Sequence, residues 1–229
     1  MITLHKSRAI PEHEEDRSLL ISGVISFTSV DYPGKLAAVL FLQGCPWACR
    51  YCHNPHLRPF HPEVNSETSE WTWAKVRDLL ESRAGFLDGV VFSGGEPTAQ
   101  PSLPPAIMEA RDMGYHIGLL SSGSYPERLE KILPLIDWVG LDIKAPLDER
   151  YDRITGAEGS SARVRASLDL ILSSGIPYQL RTTVHPALLS EVDLSTLQAQ
   201  LAALGTTPSI VQQFRPQGCV DAELVASLS

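Results

Sequence analysis

The sequence has little of what marks a nucleic-acid binder, a membrane protein or a disulfide scaffold. Its 19 Lys and Arg are outnumbered by 27 Asp and Glu, for a net charge of −8, and the basic residues are scattered. A phosphate backbone as main partner needs clustered positive charge, so nucleic acid is not expected. No apolar run approaches the roughly 20 residues that span a bilayer, and the first 17 residues lack the apolar core of a signal peptide. Four cysteines, three of them crowded together, do not make a disulfide framework. A reducing cytoplasmic setting without membrane attachment is the expectation. There is no internal repeat and no low-complexity tract.

What is present is a substantial core and a regular alternation. Hydrophobic residues make up 43% of 229, enough for a globular chain that hides most of its unfolded surface. Apolar runs predict strands over 36–42, 89–92, 116–120, 138–143, 178–184 and 210–214. Helical spacing predicts helices over 73–81, 104–113, 126–136, 162–174 and 194–204. Six strands alternating with five helices imply an α/β fold with a parallel sheet and right-handed crossovers. Six units are too few for a closed eight-stranded barrel. The expected fold is a partial (β/α)6 TIM-like barrel open on one side, with a doubly wound sheet as the alternative. Residues 1–20 are polar and predict an N-terminal arm, and 21–229 predict one domain.

The chemistry concentrates in Cys45-Pro-Trp-Ala-Cys49-Arg-Tyr-Cys52, with C-x3-C-x2-C spacing and no fourth cysteine nearby. Three thiolates hold three irons of a cubane cluster and leave the fourth iron open, whereas Fe–S clusters usually take four Cys. Zinc is the competing reading, with His53 or His56 as fourth ligand and the chain as a zinc-stabilised binding module. A second motif, Gly94-Gly95-Glu96-Pro97, follows the next predicted strand and is either a tight turn or a place of close ligand approach. The cysteines, Gly94–Glu96, Ser121-Ser122, Asp142 and Lys144, Arg181 and Arg215 all fall at C-terminal ends of predicted strands. Parallel α/β folds build their active sites on that side.

The cysteine triad together with the Gly-Gly-Glu turn on consecutive strands resembles the radical S-adenosylmethionine (radical SAM) enzymes, over residues 23 to about 216. The flanks Ser26–Gly34, Phe41–Pro46, Tyr51–Pro55 and Gly140–Lys144 look like the activating enzymes of glycyl radical proteins. They are most similar to activators of anaerobic ribonucleoside-triphosphate reductase, with pyruvate formate-lyase activating enzymes as near relatives. The resemblance implies a 4Fe–4S cluster on Cys45, Cys49 and Cys52, and SAM chelated at the open iron. It implies reductive cleavage of SAM and a 5′-deoxyadenosyl radical that takes hydrogen from a glycine of a partner enzyme. A flavodoxin- or ferredoxin-type protein would donate the electron. Small-molecule radical SAM chemistry, as in 7-carboxy-7-deazaguanine synthesis, is the alternative within the superfamily.

Carried over residue by residue, the resemblance puts Tyr51 near the adenine and Gly94, Gly95 and Glu96 at the methionine amino group. Asp142 and Lys144 fall at the ribose or carboxylate, Arg181 and Arg215 at the carboxylate or the peptide, and Asp31 at the backbone of the incoming glycine loop. Ser121 and Ser122 stand where some relatives place an acidic residue and a threonine beside a monovalent cation. Tyr32 stands where the formate-lyase group often has Gly.

Overall fold

The computed structural model describes residues 19–60 and 71–227. The arm expected over 1–20 lies outside them, except for Leu19 and Leu20. Leu20 is held at both backbone polar groups by the Gln100 amide, each at 2.8 Å.

Seven strands form one sheet in sequential order: β1 (Ile21–Thr28), β2 (Ala37–Leu42), β3 (Gly89–Gly94), β4 (His116–Ser121), β5 (Trp138–Asp142), β6 (Tyr178–Val184) and β7 (Ile210–Gln213). From β2 to β7 every pairing is parallel. β1 and β7 are the two edges, so the sheet is open, as the alternation predicts. β1 pairs antiparallel to β2 with two register shifts. Sequence periodicity misses β1 because Ile21-Ser-Gly-Val-Ile-Ser-Phe-Thr is irregular and half exposed.

The helices are α1 (Trp73–Ser82), α2 (Leu103–Asp112), α3 (Pro126–Ile132), α4 (Glu149–Thr155), α5 (Ser160–Ser174), α6 (Glu191–Ala203) and α7 (Ala222–Ala226). Their starts follow local chemistry. Thr72 caps α1, Pro126 opens α3, and Ser190 with Asp193 forms a capping box on α6. α4, with seven residues, and α7, with five, are too short to show a helical period. α4 is set instead by Asp148 at its start and Gly156 in the left-handed region at its end.

Strand alternation gives the sheet two unlike faces. Leu40, Phe92, Leu119, Leu141 and Leu180 point to the helices and join Val76, Ile107, Leu129, Leu168 and Leu197 in the main core. Ala37, Val39, Val91 and Trp138 point the other way and form a smaller cluster with Tyr32. No helix among the described residues is long and apolar enough to cross a membrane.

Candidate active site

The cysteine loop leaves β2 and is tied down at several points. Gly44 donates to Leu57 O (2.8 Å), Cys45 to Arg58 O (3.0 Å) and Ala48 to Thr155 O at the end of α4 (2.7 Å). The Gln43 amide donates to His56 O (3.1 Å) and Pro59 O (2.7 Å). The Gly-Gly-Glu turn is bonded directly to this loop. Gly95 donates to Leu42 O and Glu96 to Gly44 O, both at 2.8 Å. Gly94 has φ +119°, and a Cβ there would strike the Leu42 backbone, while one on Gly95 would strike Gly44. The two motifs are therefore one backbone unit, which is the physical reason they occur together.

Cys45, Cys49 and Cys52 are free and partly buried, and all three line a cleft at the C-terminal strand ends. Tyr51, Gly94, Gly95, Ser121, Ser122, Asp142, Lys144 and Arg181 line the same cleft. Trp47, His53, Asn54, Arg58, Ser93 and Thr183 also line it. Thr183 had a legible signal, since it lies two residues beyond Arg181 on one strand and so shares its face. His53, Asn54 and Arg58 were reachable only through their proximity to the triad in sequence.

Burial pushes the Cys45 thiol up to about 12, and it raises Cys49 as well. Buried thiols of this kind become thiolates when a cationic group enters the site. Among the described residues no group of three or more His, Cys, Asp or Glu could hold a metal ion. A zinc knuckle needs its donors converged on one point, whereas ligands to a cubane sit on separate irons. His53 stacks on Phe214 with centroids 5.4 Å apart, and burial lowers its pKa, so its ring is neutral.

The cleft also carries unmet hydrogen bonding. Six buried side-chain polar atoms lack a partner among the described residues. Five of them belong to cleft residues: Trp47 Nε1, Tyr51 OH, His53 Nε2, Arg58 Nε and Arg181 Nε. Buried polar groups are otherwise nearly always paired. Their gathering here marks a cavity shaped for a polar ligand, so the residues fit a cluster with a polar co-substrate.

One wall is ionic. The Asp142 carboxylate lies 3.4 Å from Lys144 Nζ and 3.2 Å from Arg181 Nη2. Burial alone would raise the Asp142 pKa, but Lys144 and then Arg181 outweigh it and hold it below the usual carboxylate range. Burial would likewise lower Lys144, and Tyr51 and Asp142 outweigh it, so Lys144 stays protonated. Tyr151 braces this wall from behind, accepting from Lys144 N and donating to Asp142 O, both at 3.2 Å.

Three expected residues lie elsewhere. Glu96 is fully buried behind the cleft wall. Its carboxylate accepts from Thr98 N (3.1 Å), Thr98 Oγ1 (2.6 Å), Ser121 Oγ (2.9 Å), Ser122 N (2.8 Å) and Ser122 Oγ (2.5 Å). Glu96 thus ties the Gly-Gly turn to the Ser121-Ser122 loop, and its charge is spent there. Arg215 is exposed and does not line the cleft. Asp31 sits at the opposite end of the sheet, because antiparallel β1 delivers its turn to the start of β2. That is a strand length, about 17 Å, from the cysteine loop. Its Oδ2 accepts locally from Thr28 Oγ1 at 2.6 Å.

Comparison with known proteins agrees with this geometry. Residues 39–196 match the model of the radical SAM superfamily. A Methanocaldococcus jannaschii protein named as a glycyl-radical enzyme activating enzyme is 30% identical over 89% of this chain and 83% of its own length. The pyruvate formate-lyase-activating enzyme of Streptococcus mutans is 30% identical over 74% of this chain and 66% of its own. Among solved structures, Streptococcus suis SuiB bound to precursor peptide SuiA superposes with a TM-score of 0.59 at 11% identity. It covers 78% of this chain and 39% of that one, and it shows the shared fold. The chain belongs to the radical SAM superfamily, whose cofactors are a 4Fe–4S cluster and SAM, and within it to the glycyl-radical enzyme activating enzymes.

Proposed function

We propose that this protein generates a glycyl radical on anaerobic ribonucleoside-triphosphate reductase. The observation that carries the reading is the cleft itself, where three free thiols meet the Gly-Gly turn and five unpartnered buried polar groups. Cys45, Cys49 and Cys52 would hold the cluster. The chemistry supplied there is one-electron cleavage of the SAM C5′–S bond to methionine and a 5′-deoxyadenosyl radical, which then takes a hydrogen atom from a glycine Cα.

The chain's own residues bind, orient and exclude water. The backbone at Gly94 and Gly95 would receive the methionine amino group, with Ser121 and Ser122 holding the adjoining wall through Glu96. Lys144 and Arg181 would attract the SAM carboxylate, with Asp142 orienting them or meeting the ribose, and Tyr51 would pack against the adenine. The partner assignment rests on Asp31-Tyr32-Pro33-Gly34 and the flanks of the triad. The electron would come from a flavodoxin- or ferredoxin-type donor.

The test is anaerobic reconstitution with iron and sulfide, then reduction and addition of SAM. The expected products are 5′-deoxyadenosine and methionine in equal amounts, and their absence rejects the chemistry. Addition of the reductase should give a glycyl doublet in electron paramagnetic resonance only with enzyme and SAM together. Product formation without a doublet on the reductase rejects that partner alone.

A further inference from the structure

Of the five unpartnered polar atoms in the cleft, three are obligate donors: Trp47 Nε1, Arg58 Nε and Arg181 Nε. The carboxylates around them are already engaged. Glu96 accepts from Thr98, Ser121 and Ser122, and Asp142 is paired with Lys144 and Arg181. The acceptors these donors need must therefore arrive with whatever fills the cleft. Trp47 is the strictest case. It is 1% exposed, which shuts its indole off from bulk water. Its ring is set edge-on against Tyr151, with centroids 5.8 Å apart and planes at 73°. The Tyr151 hydroxyl offers it nothing, being spent on Lys144 N and Asp142 O. Packing alone does not call for an indole here, because a phenyl ring makes the same edge contact without an N–H to bury.

We propose that the Trp47 indole N–H donates a hydrogen bond to a sulfur of the cluster and so sets its reduction potential. The proposal rests on the assignment of the cluster to Cys45, Cys49 and Cys52. Trp47 stands two residues from Cys45 and two from Cys49, and its backbone N–H already bonds the Cys45 sulfur. The methionine end of SAM is provided for elsewhere, by the Gly94-Gly95 backbone and by Lys144 with Arg181. An electron from a flavodoxin- or ferredoxin-type donor adds one negative charge to the cluster. A donor fixed beside the sulfurs favours the more negative state, and such hydrogen bonds are among the controls on cluster potential. In a site shut off from water the effect is strengthened. Trp47 thereby makes the cluster easier to reduce.

The readout is the potential of the cluster itself. Wild-type protein and Trp47→Phe are reconstituted with iron and sulfide and titrated through redox mediators without SAM, following the paramagnetic signal of the reduced cluster. Trp47→Phe keeps an aromatic ring and removes the N–H. Its midpoint should lie below that of the wild type by up to about 59 mV, the one-electron equivalent of a tenfold change in the equilibrium. Protein labelled with nitrogen-15 at the indole nitrogen gives a second measurement. In pulsed electron paramagnetic resonance the reduced wild-type cluster should show a coupling to that nucleus, absent from Trp47→Phe. Trp73 donates to Glu109 instead, and Trp138 lies at the other end of the strands.

If Trp47→Phe fails to hold a cluster, the coupling in the wild-type protein decides. An unchanged or raised midpoint in the variant, or labelled wild-type protein without the coupling, overturns the hydrogen bond and leaves the cluster assignment standing. Wild-type protein that takes up no cluster overturns the assignment and the hydrogen bond with it.

Discussion

The two ends of the parallel strands follow one alternation and do opposite things. At the N-terminal ends, inward positions carry Ala37, Gly89 and Trp138, and the space closes over with stacked rings. At the C-terminal ends, they carry Ser93, Asp142, Arg181 and Thr183, and hydrogen bonds are left unmet. Glycine serves both ends by a different route: below it seats an aromatic ring, and above it lets backbone meet backbone. The contrast places stability in the lower layer and the helix-facing core, and places cost in the cleft, where unpaired buried groups lower stability until a ligand pairs them.

Replacing Cys45 with Ala tests the contrast most severely. SAM cleavage should fall to background and bound iron should drop, while the unloaded chain keeps its melting temperature. Cys45 is only partly buried, so replacing its thiol by hydrogen removes little packed volume. Iron analysis with thermal unfolding of the metal-free protein checks both halves. A large loss of stability would mean that the cleft also holds the fold.

The converse change is Leu119→Ala, on the fully buried helix-facing side of β4. It should cost about 2–5 kcal/mol, read as a clear drop in melting temperature. The KM for SAM should be unchanged in the protein that remains folded. A shifted KM would show that the two faces are coupled through the sheet.

Glu96→Gln comes next in size. One half of the amide still accepts from Thr98 and Ser121, but the other presents N–H donors to Ser122 N, itself a donor. A loss of about 1–3 kcal/mol, the scale for one unsatisfied buried group, should appear mainly as a raised KM for SAM. The carboxylate never reaches the cleft, so kcat should change little. A collapse of kcat with unchanged KM would instead make Glu96 a direct participant.

This placement of Glu96 shows where sequence reasoning stops. The triad and the turn were legible because they are local and because glycines mark close approach. Five helices and six strands were legible because the strands carry apolar runs and the helices apolar residues at helical spacing. Glu96 was not, because its partners at Ser121 and Ser122 lie a whole βα unit away, and a carboxylate beside two glycines gives no sign of which way it faces. The place of Asp31 was not legible, because it depends on the direction of β1, an irregular strand without a clear period. Arg181 and Arg215 look alike in sequence, yet one occupies an inward position on β6 and the other lies exposed just past the end of β7. The stack of Tyr32 on Trp138 was invisible for the same reason, since Gly89 and Gly118 seat a ring from more than fifty residues upstream.

The smallest expected effect lies on the outside of the cysteine loop. Arg50, between the second and third cysteines, donates to Asp221 (2.7 Å) and Glu223 (2.9 Å) beside α7, and Cys219 Sγ lies 3.4 Å from Arg50 O. The strap over 214–227 thus grips the loop at a side chain and at a backbone carbonyl. Because Arg50 and Glu223 are open to water, the charged part of this grip is screened, and exposed pairs contribute little. Asp221→Asn should leave SAM cleavage intact and lower the melting temperature slightly in dilute buffer, with the difference vanishing in high salt. The carbonyl contact survives the change, so the loop should stay in place. A persistent difference in high salt, or slow loss of iron to a chelator, would show instead that the strap helps hold the cleft end of the molecule together, and that the division between a stable end and a costly end is less sharp than the strands suggest.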